Sequence, residues 1–418
     1  MSHAPTIRAP HGARHRDIRT RWIWLAAWPV TAVFVLSNAA TPLYVLWQRD
    51  IGFSKGTLTV VFAFYIVGLL GSLLVSGVLS DRLGRRPVLL PALALALVAC
   101  GVFATAGTVA ALIAARLLTG IAVGATVSAG LAAVTDVAGP SRRRLAALLA
   151  SSAMVFGAGL GPLLSGVLSE TLPAPTVTVF AVEAVLLATA ALVVVRMPLP
   201  RPSTPSGGPT AGPAARSWIR VPGVPRENAM RLVLGIAVFA PGITATSFVL
   251  SLGPSLLSGL LGTGNRIVAG GMAFVMFAAA TGVQFAVQRL PRRAILVAGA
   301  AATVAAMASL VIAVHGASVA ALAASAVLAG AGQGMGQLGG LSLLNAAVPA
   351  RRLAEANAAF NIGGYVPAGL LPVTAGYLSD AVGLTAGATL FATALAALAA
   401  TGGAVVLTAR RHAGDQDR

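Results

Sequence analysis

Residues 77 to 90 read GVLSDRLGRRPVLL and set one carboxylate, Asp81, among three guanidinium groups, Arg82, Arg85 and Arg86. Apolar runs flank the stretch on both sides. An acid within a turn of arginines can form and exchange ion pairs, while Gly77 and Gly84 let the backbone turn sharply or meet a neighbour closely. Pro87 suits the first turn of a new helix, where its missing N–H costs nothing. Loop arginines serving topology alone would explain the positive charge, but not Asp81 or the glycines. Asp136, at the end of a later apolar run, is placed to pair with Arg85 or Arg86. Asp81 is expected to face the start of a helix near Arg352 and Glu355, where an anion is favoured by the helix dipole.

Two ionisable residues lie inside apolar runs. A charge at membrane depth costs at least about 2.5–3.5 kcal/mol and is normally functional. Arg116 recurs with Gly120, Gly124 and Ser128 at four-residue spacing, so the four share a helix face. Arg116 either points into the protein or snorkels to the nearby surface. Glu183 either stands alone, most stable when protonated, or pairs with Arg116 and ionises. Either state allows protonation to be coupled to conformation. No nucleophile–base pair is visible in the apolar runs. The single cysteine, Cys100, excludes an intramolecular disulfide and a cysteine metal cluster. Four of the five histidines lie in the terminal tails and the fifth, His315, at a helix end.

These groups must be held by membrane-spanning helices. Of 418 residues, 57% are hydrophobic and 10% charged, against about 25% charged in soluble domains. Twelve apolar runs are long enough to cross a ~30 Å hydrocarbon core. They fall near 22–47, 57–79, 88–106, 109–136, 145–169 and 175–196, then 229–257, 264–288, 294–314, 317–346, 354–379 and 384–408. Trp22, Trp24 and Trp28 are expected at one interface and Tyr44 and Trp47 at the other. The polar tails 1–21 and 410–418, and a Pro/Gly/Ser/Thr-rich linker 197–228, read as cytoplasmic and irregular. All Lys and Arg except Arg49, Lys55, Arg116 and Arg266, 25 of 29, then fall on one side, which places both termini in the cytoplasm. The net charge of +18 therefore reflects topology rather than nucleic-acid binding. The second set of six echoes the first: Asp81-Arg82-Leu83-Gly84-Arg85-Arg86 returns as Gln288-Arg289-Leu290-Pro291-Arg292-Arg293, and Arg143-Arg144-Leu145-Ala146 as Arg351-Arg352-Leu353-Ala354.

The 77–90 stretch resembles the signature loop of the major facilitator superfamily, G-x-L-x-D-R-x-G-R-R/K, matched at Gly77, Leu79, Asp81, Arg82, Gly84, Arg85 and Arg86. The resemblance implies an all-α integral membrane fold of twelve transmembrane helices in two pseudo-symmetric six-helix bundles, 22–196 and 229–409. It implies a cavity opening alternately to each side, with Asp81, Arg82, Arg85, Arg86 and Asp136 as a gating charge relay. Arg116, Gly120 and Gly124 resemble the family's R-x-x-x-G-x-x-x-G motif, associated with proton coupling in exporters. Gly157, Gly161, Pro162, Ser165 and Gly166 resemble the exporters' G-x-x-x-G-P-x-x-G-G motif, departing from it at Ser165.

Asn38 and Pro42, Gly120 and Gly124, Gln333 and Gln337, and Asn361 with Asn357 are the candidates for the cavity wall, with Pro241-Gly242, Thr244 and Ser247 on a kinked helix. With no mid-membrane charge in the second half, neutral, amphiphilic or weakly cationic substrates fit. The expectation is a proton-coupled drug:proton antiporter, not an enzyme, in a bacterial inner membrane. Its partners are lipid, protons and a small molecule; no cofactor, metal, nucleic acid or second copy is expected, and no G-x-x-x-x-G-K-[ST] loop marks ATP as the energy source. The alternative is an uptake symporter or facilitator of a sugar or other metabolite.

Overall fold

The computed structural model describes residues 11–199, 222–259, 262, 264–349 and 352–409. Tail residues 1–10 and 410–418 and linker residues 200–221, expected above to be irregular, lie outside this set. The described residues form helices without strands. The first bundle comprises α1 (His11–Ala39), α2 (Tyr44–Ile51), α3 (Lys55–Leu83), α4 (Arg86–Ala104), α5 (Val109–Ala138), α6 (Arg143–Thr171) and α7 (Pro175–Arg196). The second comprises α8 (Ala229–Gly259), α9 (Arg266–Val287), α10 (Arg292–His315), α11 (Val319–Ala347), α12 (Leu353–Val382) and α13 (Leu384–Thr408).

The first span differs from the expected continuous helix over 22–47. Helix α1 begins at His11, inside the expected tail, because residues 11–21 follow Pro10 and carry four arginines, which favour helix. It ends at Ala39, where a 3-10 turn, Thr41–Leu43, leads into α2. Pro42 supplies the cause, since it has no N–H to continue the helical ladder. The turn swings Tyr44 and Trp47 inward. Neither reaches an interface: they are 0% and 3% exposed, and Trp47 stacks on Phe103 and Phe180.

Among the described residues, eleven spans are long and apolar enough to cross a membrane. The twelfth, α12, is 30 residues long but carries Glu355, Asn357, Asn361 and two internal prolines. It lies in the middle of the molecule, packed on both α8 of its own bundle and α3 of the other.

The halves correspond in packing. Helix α1 packs on α6 as α8 does on α12, and α3 on α5 as α9 does on α11. Thr108 caps α5 through the N–H of Ala111, and Ser318 caps α11 through that of Ala321. Across the molecule, α3 meets α12 and α6 meets α9. Both seams are tight at the arginine-poor end. Residues 32–44 of the first span and 238–257 of α8 are buried on every side, as expected of helices apolar all round. Towards the arginine-rich end α6 and α9 loosen, with Phe156 and Phe285 at least half exposed.

Candidate functional site

Helices α1, α3, α6, α8, α9, α11 and α12 line a small central cavity of about 90 Å³. Phe34, Phe62, Tyr65, Phe277 and Tyr365 supply its rings, and Ser37, Asn38, Thr246, Ser247 and Gln333 its other polar side chains. Asn38 and Gln333 thus occupy the expected wall. Ser247 joins them, while Pro42, Gly120, Gly124, Gln337 and Asn361 lie elsewhere. Pro42 is consumed by the break after α1. Gly120 and Gly124 lie against the α3 backbone, beside the carbonyls of Tyr65 and Leu69; four-residue spacing defined their face but not which neighbour it meets. Asn361 turns back to donate to the Asn357 carbonyl at 2.8 Å. Gln337, half-buried on α11, is not among the cavity's lining residues.

Arg116 sits one layer behind this wall and is 0% exposed, so it does not snorkel. Its Nε donates to the Tyr44 hydroxyl and its Nη1 to the Ser37 carbonyl at 2.7 Å. The guanidinium carbon lies 5.1 Å from the Tyr44 ring centroid, 5.5 Å from Phe62, 5.9 Å from Phe103 and 6.0 Å from Tyr65. Nη2 has no partner. Glu183 is equally deep, 1% exposed, and neither carboxyl oxygen has a hydrogen-bond partner. The two do not form an ion pair. Helix α7 turns Glu183 towards α4, near Cys100, while Arg116 is drawn to the α1–α2 break by neutral oxygens.

The signature loop folds as a knot of charge between α3 and α4. Arg85 donates through Nη1 to Asp81 at 2.7 Å and through Nε to Asp136 of α5 at 3.0 Å. Partial burial pulls the Arg85 guanidinium down, but these hydrogen bonds outweigh it and hold its pKa above the usual arginine value. Arg86 reaches the Met197 carbonyl at 2.8 Å, tying the start of the linker to the loop. Arg82 is half-buried beside it. Arg352, at the start of α12, donates to Glu355 at 2.9 Å.

The exporter-like glycines sit on both seams of α6. Gly157 and Gly161 face the α1 backbone at Thr31 and Val35, and Gly166 faces the carbonyl of Arg266 on α9. From the other side, Gly270 of α9 meets the carbonyl of Pro162. Ser165, where the motif has glycine, is fully buried with an unpartnered hydroxyl.

Three polar clasps at the arginine-poor end join the halves. The Asp380 carboxylate accepts from the backbone N–H of Lys55 at 3.1 Å and of Gly56 at 2.8 Å, capping α3. Glu170 accepts from the Arg266 backbone at 2.8 Å and pairs with its Nε at 3.1 Å. Ser255 of α8 donates to Gln48 of α2 at 3.1 Å. Sequence reading missed all three, whose partners are 96 to 325 residues apart. Charge scarcity at that end was the one available signal.

Two helical bundles meeting over a central cavity, with long apolar helices throughout and a charged loop at one end, define a multi-pass membrane protein. The Major Facilitator Superfamily pattern matches residues 23–290, more than half the chain, and the chain belongs to that family of membrane transporters. The Bos taurus major facilitator superfamily domain-containing protein 10 is 34% identical over 155 residues, 32% of this chain and 33% of its own. The Escherichia coli (strain K12) 3-(3-hydroxy-phenyl)propionate transporter is 36% identical over 104 residues, 24% and 25% of the two chains. An E. coli multidrug resistance protein MdtL is 29% identical over 116 residues, 27% and 30%. The chain thus aligns with a third or less of the length of these relatives. Among solved structures, an inward-facing, unoccupied bacterial Spinster homologue superposes with TM-score 0.73 at 14% identity, covering 95% of this chain and 99% of its own. The nucleoside transporter NupG gives 0.72 at 12%, covering 92% and 99%. At such identity the likeness is one of fold.

Proposed function

We propose that the protein is a secondary active exporter that exchanges protons for a small neutral or amphiphilic compound by alternating access. The observation that carries this reading is the pair of unmatched buried groups in the first bundle, Arg116 and Glu183. Burying a charge or a carboxyl without a partner is costly, and such groups persist in membrane helices where protons or substrates move. Arg116 contacts Ser37, Phe62 and Tyr65, which line the cavity. A proton taken up or released at Glu183 changes the charge balance around Arg116 and thereby the packing of the cavity wall. The glycine-proline seams of α6 favour export over import. The arginine-rich end, with the signature loop, is taken as cytoplasmic in a bacterial inner membrane. The Arg85 knot with Asp81 and Asp136, and the three clasps, then act as opposing gates.

A second reading, uptake of a small metabolite, is favoured by the stretch similar to the hydroxyphenylpropionate transporter. A dye-efflux assay in expressing cells, with an uncoupler added midway, separates the two. Efflux stops on uncoupling, and Glu183→Gln abolishes it while leaving the protein folded. Efflux that persists after uncoupling would overturn the proton-coupled reading.

A further inference from the structure

We infer that the central cavity selects aromatic molecules with a neutral or anionic head group and rejects cations, because an unneutralised guanidinium lies directly behind its aromatic wall. This rests on the reading of that cavity as the transport site. Among the described residues, no Asp, Glu, Lys or Arg lines the cavity, so a bound charge meets no direct counter-ion. The nearest fixed charge in the structure's contacts is Arg116, which touches Phe62 and Tyr65 from behind at 5.5 and 6.0 Å. Its hydrogen bonds go to neutral oxygens of Tyr44 and Ser37, which orient the guanidinium without cancelling it. Glu183, the buried carboxyl of the described first bundle, makes no ion pair with it and no hydrogen bond.

The physical consequence concerns the ring faces. A ring attracts a cation through the negative potential of its face. On Phe62 and Tyr65 a guanidinium already uses one side, and its positive field extends through the ring into the cavity. Protein surrounds the site, so that field is weakly screened. At an effective dielectric near 20, a unit charge roughly 8 Å away alters binding by on the order of tenfold to a hundredfold. A lipophilic cation is repelled by that amount, a carboxylate is favoured, and a neutral amide is left nearly untouched. The rings and the amides of Asn38 and Gln333 hold all three alike.

The second bundle does not offset the field. Helices α5 and α11 align without a gap, each opening on a capped Val-Ala-Ala-Leu turn. Gly120 and Gly124, packed on α3, correspond to Gly330 and Gly334, packed on α9. Arg116 then corresponds to Ala326, itself fully buried. The cavity is therefore positive on the α1–α3–α5 side and neutral on the other. An anionic substrate would lie with its head group towards Asn38 and Tyr65.

The test is equilibrium binding to the purified full chain in nanodiscs, using phenylacetate, phenylacetamide and 2-phenylethylamine as matched probes. Phenylacetate is expected to bind most tightly and the amine at least about tenfold more weakly. In Arg116→Met the gap between carboxylate and amide closes. Asn38→Asp, which puts a carboxylate into the wall, reverses the order of acid and amine. If Arg116→Met does not fold, the wild-type order and Asn38→Asp decide the matter. Amine binding equal to or tighter than phenylacetate in the wild type would overturn the inference. So would a gap that survives in folded Arg116→Met, or failure of all three probes to bind. None of these binding results bears on proton-coupled export, which flux measurements judge separately.

Discussion

At the scale of single residues, Arg116 and Asp380 show two ways of placing a charge. Arg116 is buried with two neutral acceptors and one idle nitrogen, an arrangement that costs stability rather than supplying it. A buried charge without a counter-ion carries a desolvation penalty of several kcal/mol that an apolar side chain of similar volume does not. Arg116→Met should therefore melt no lower than the wild type while transport is lost. A lower melting temperature with intact transport would mark Arg116 as structural. Asp380 instead caps α3 across the bundle interface. Burial pushes its carboxyl up, but the backbone N–H groups of Gly56 and Lys55 and the Ser54 hydroxyl outweigh this and hold it below the usual value. A carboxyl lowered in this way stabilises the closed end above its ordinary pKa of about 3.9, and that contribution is lost as pH falls through the lowered value. Spin labels at Asp50 and Ala381 should report a constant short distance from about pH 8 to 5 and a longer one below about pH 4. Asp380→Asn should shift the closed-to-open ratio about fivefold at neutral pH, an exposed cap of this kind being worth on the order of 1 kcal/mol.

At the scale of helices, glycine placement decides which faces meet. A Cβ on Gly270 would run into the Pro162 carbonyl, whereas at Gly271 nothing lies within 4 Å. Gly270→Ala should weaken the α6–α9 seam by about 1–3 kcal/mol and cut transport. Gly271→Ala should be neutral or stabilise by about 0.5–1 kcal/mol. Equal effects at the two positions, read by thermal unfolding and transport, would contradict close packing at this seam. Much of this level was legible in advance. The twelve apolar runs and the charged loop are written in contiguous stretches, Asp136 stands at the end of one such run, and Gly157 and Gly161 share one face by their spacing. What stayed hidden depends on chain segments far apart. Residue spacing shows that Arg116 and Gly120 share a face, but not that Tyr44 comes back from 72 residues away to meet the arginine. Nor does it show that Gly120 buries itself in α3 and leaves the cavity to Tyr65 and Tyr365. Pro42 carries a signal of its own, since proline at a helix interior forecasts a break rather than a wall position.

At the scale of the whole molecule, a symmetric frame carries an asymmetric charge pattern. The first bundle holds Arg116, Glu183 and the Asp81–Arg85–Asp136 knot. The corresponding positions of the second include Ala326 for Arg116, Gln288 for Asp81 and Ala346 for Asp136. In the proposed cycle, proton handling falls to one half, and the other supplies neutral cavity wall and seam. The clasps hold the arginine-poor end shut while α6 and α9 splay at the other, so the structure represents one extreme of the proposed cycle. The most direct test of that cycle is paired flux in proteoliposomes carrying the protein, with a pH-sensitive dye inside and a compound that cells are found to efflux. The account predicts that substrate and protons move in opposite directions at a fixed ratio, and that Glu183→Gln abolishes the proton movement. Substrate flux with no proton movement, or with protons moving in the same direction, would contradict it.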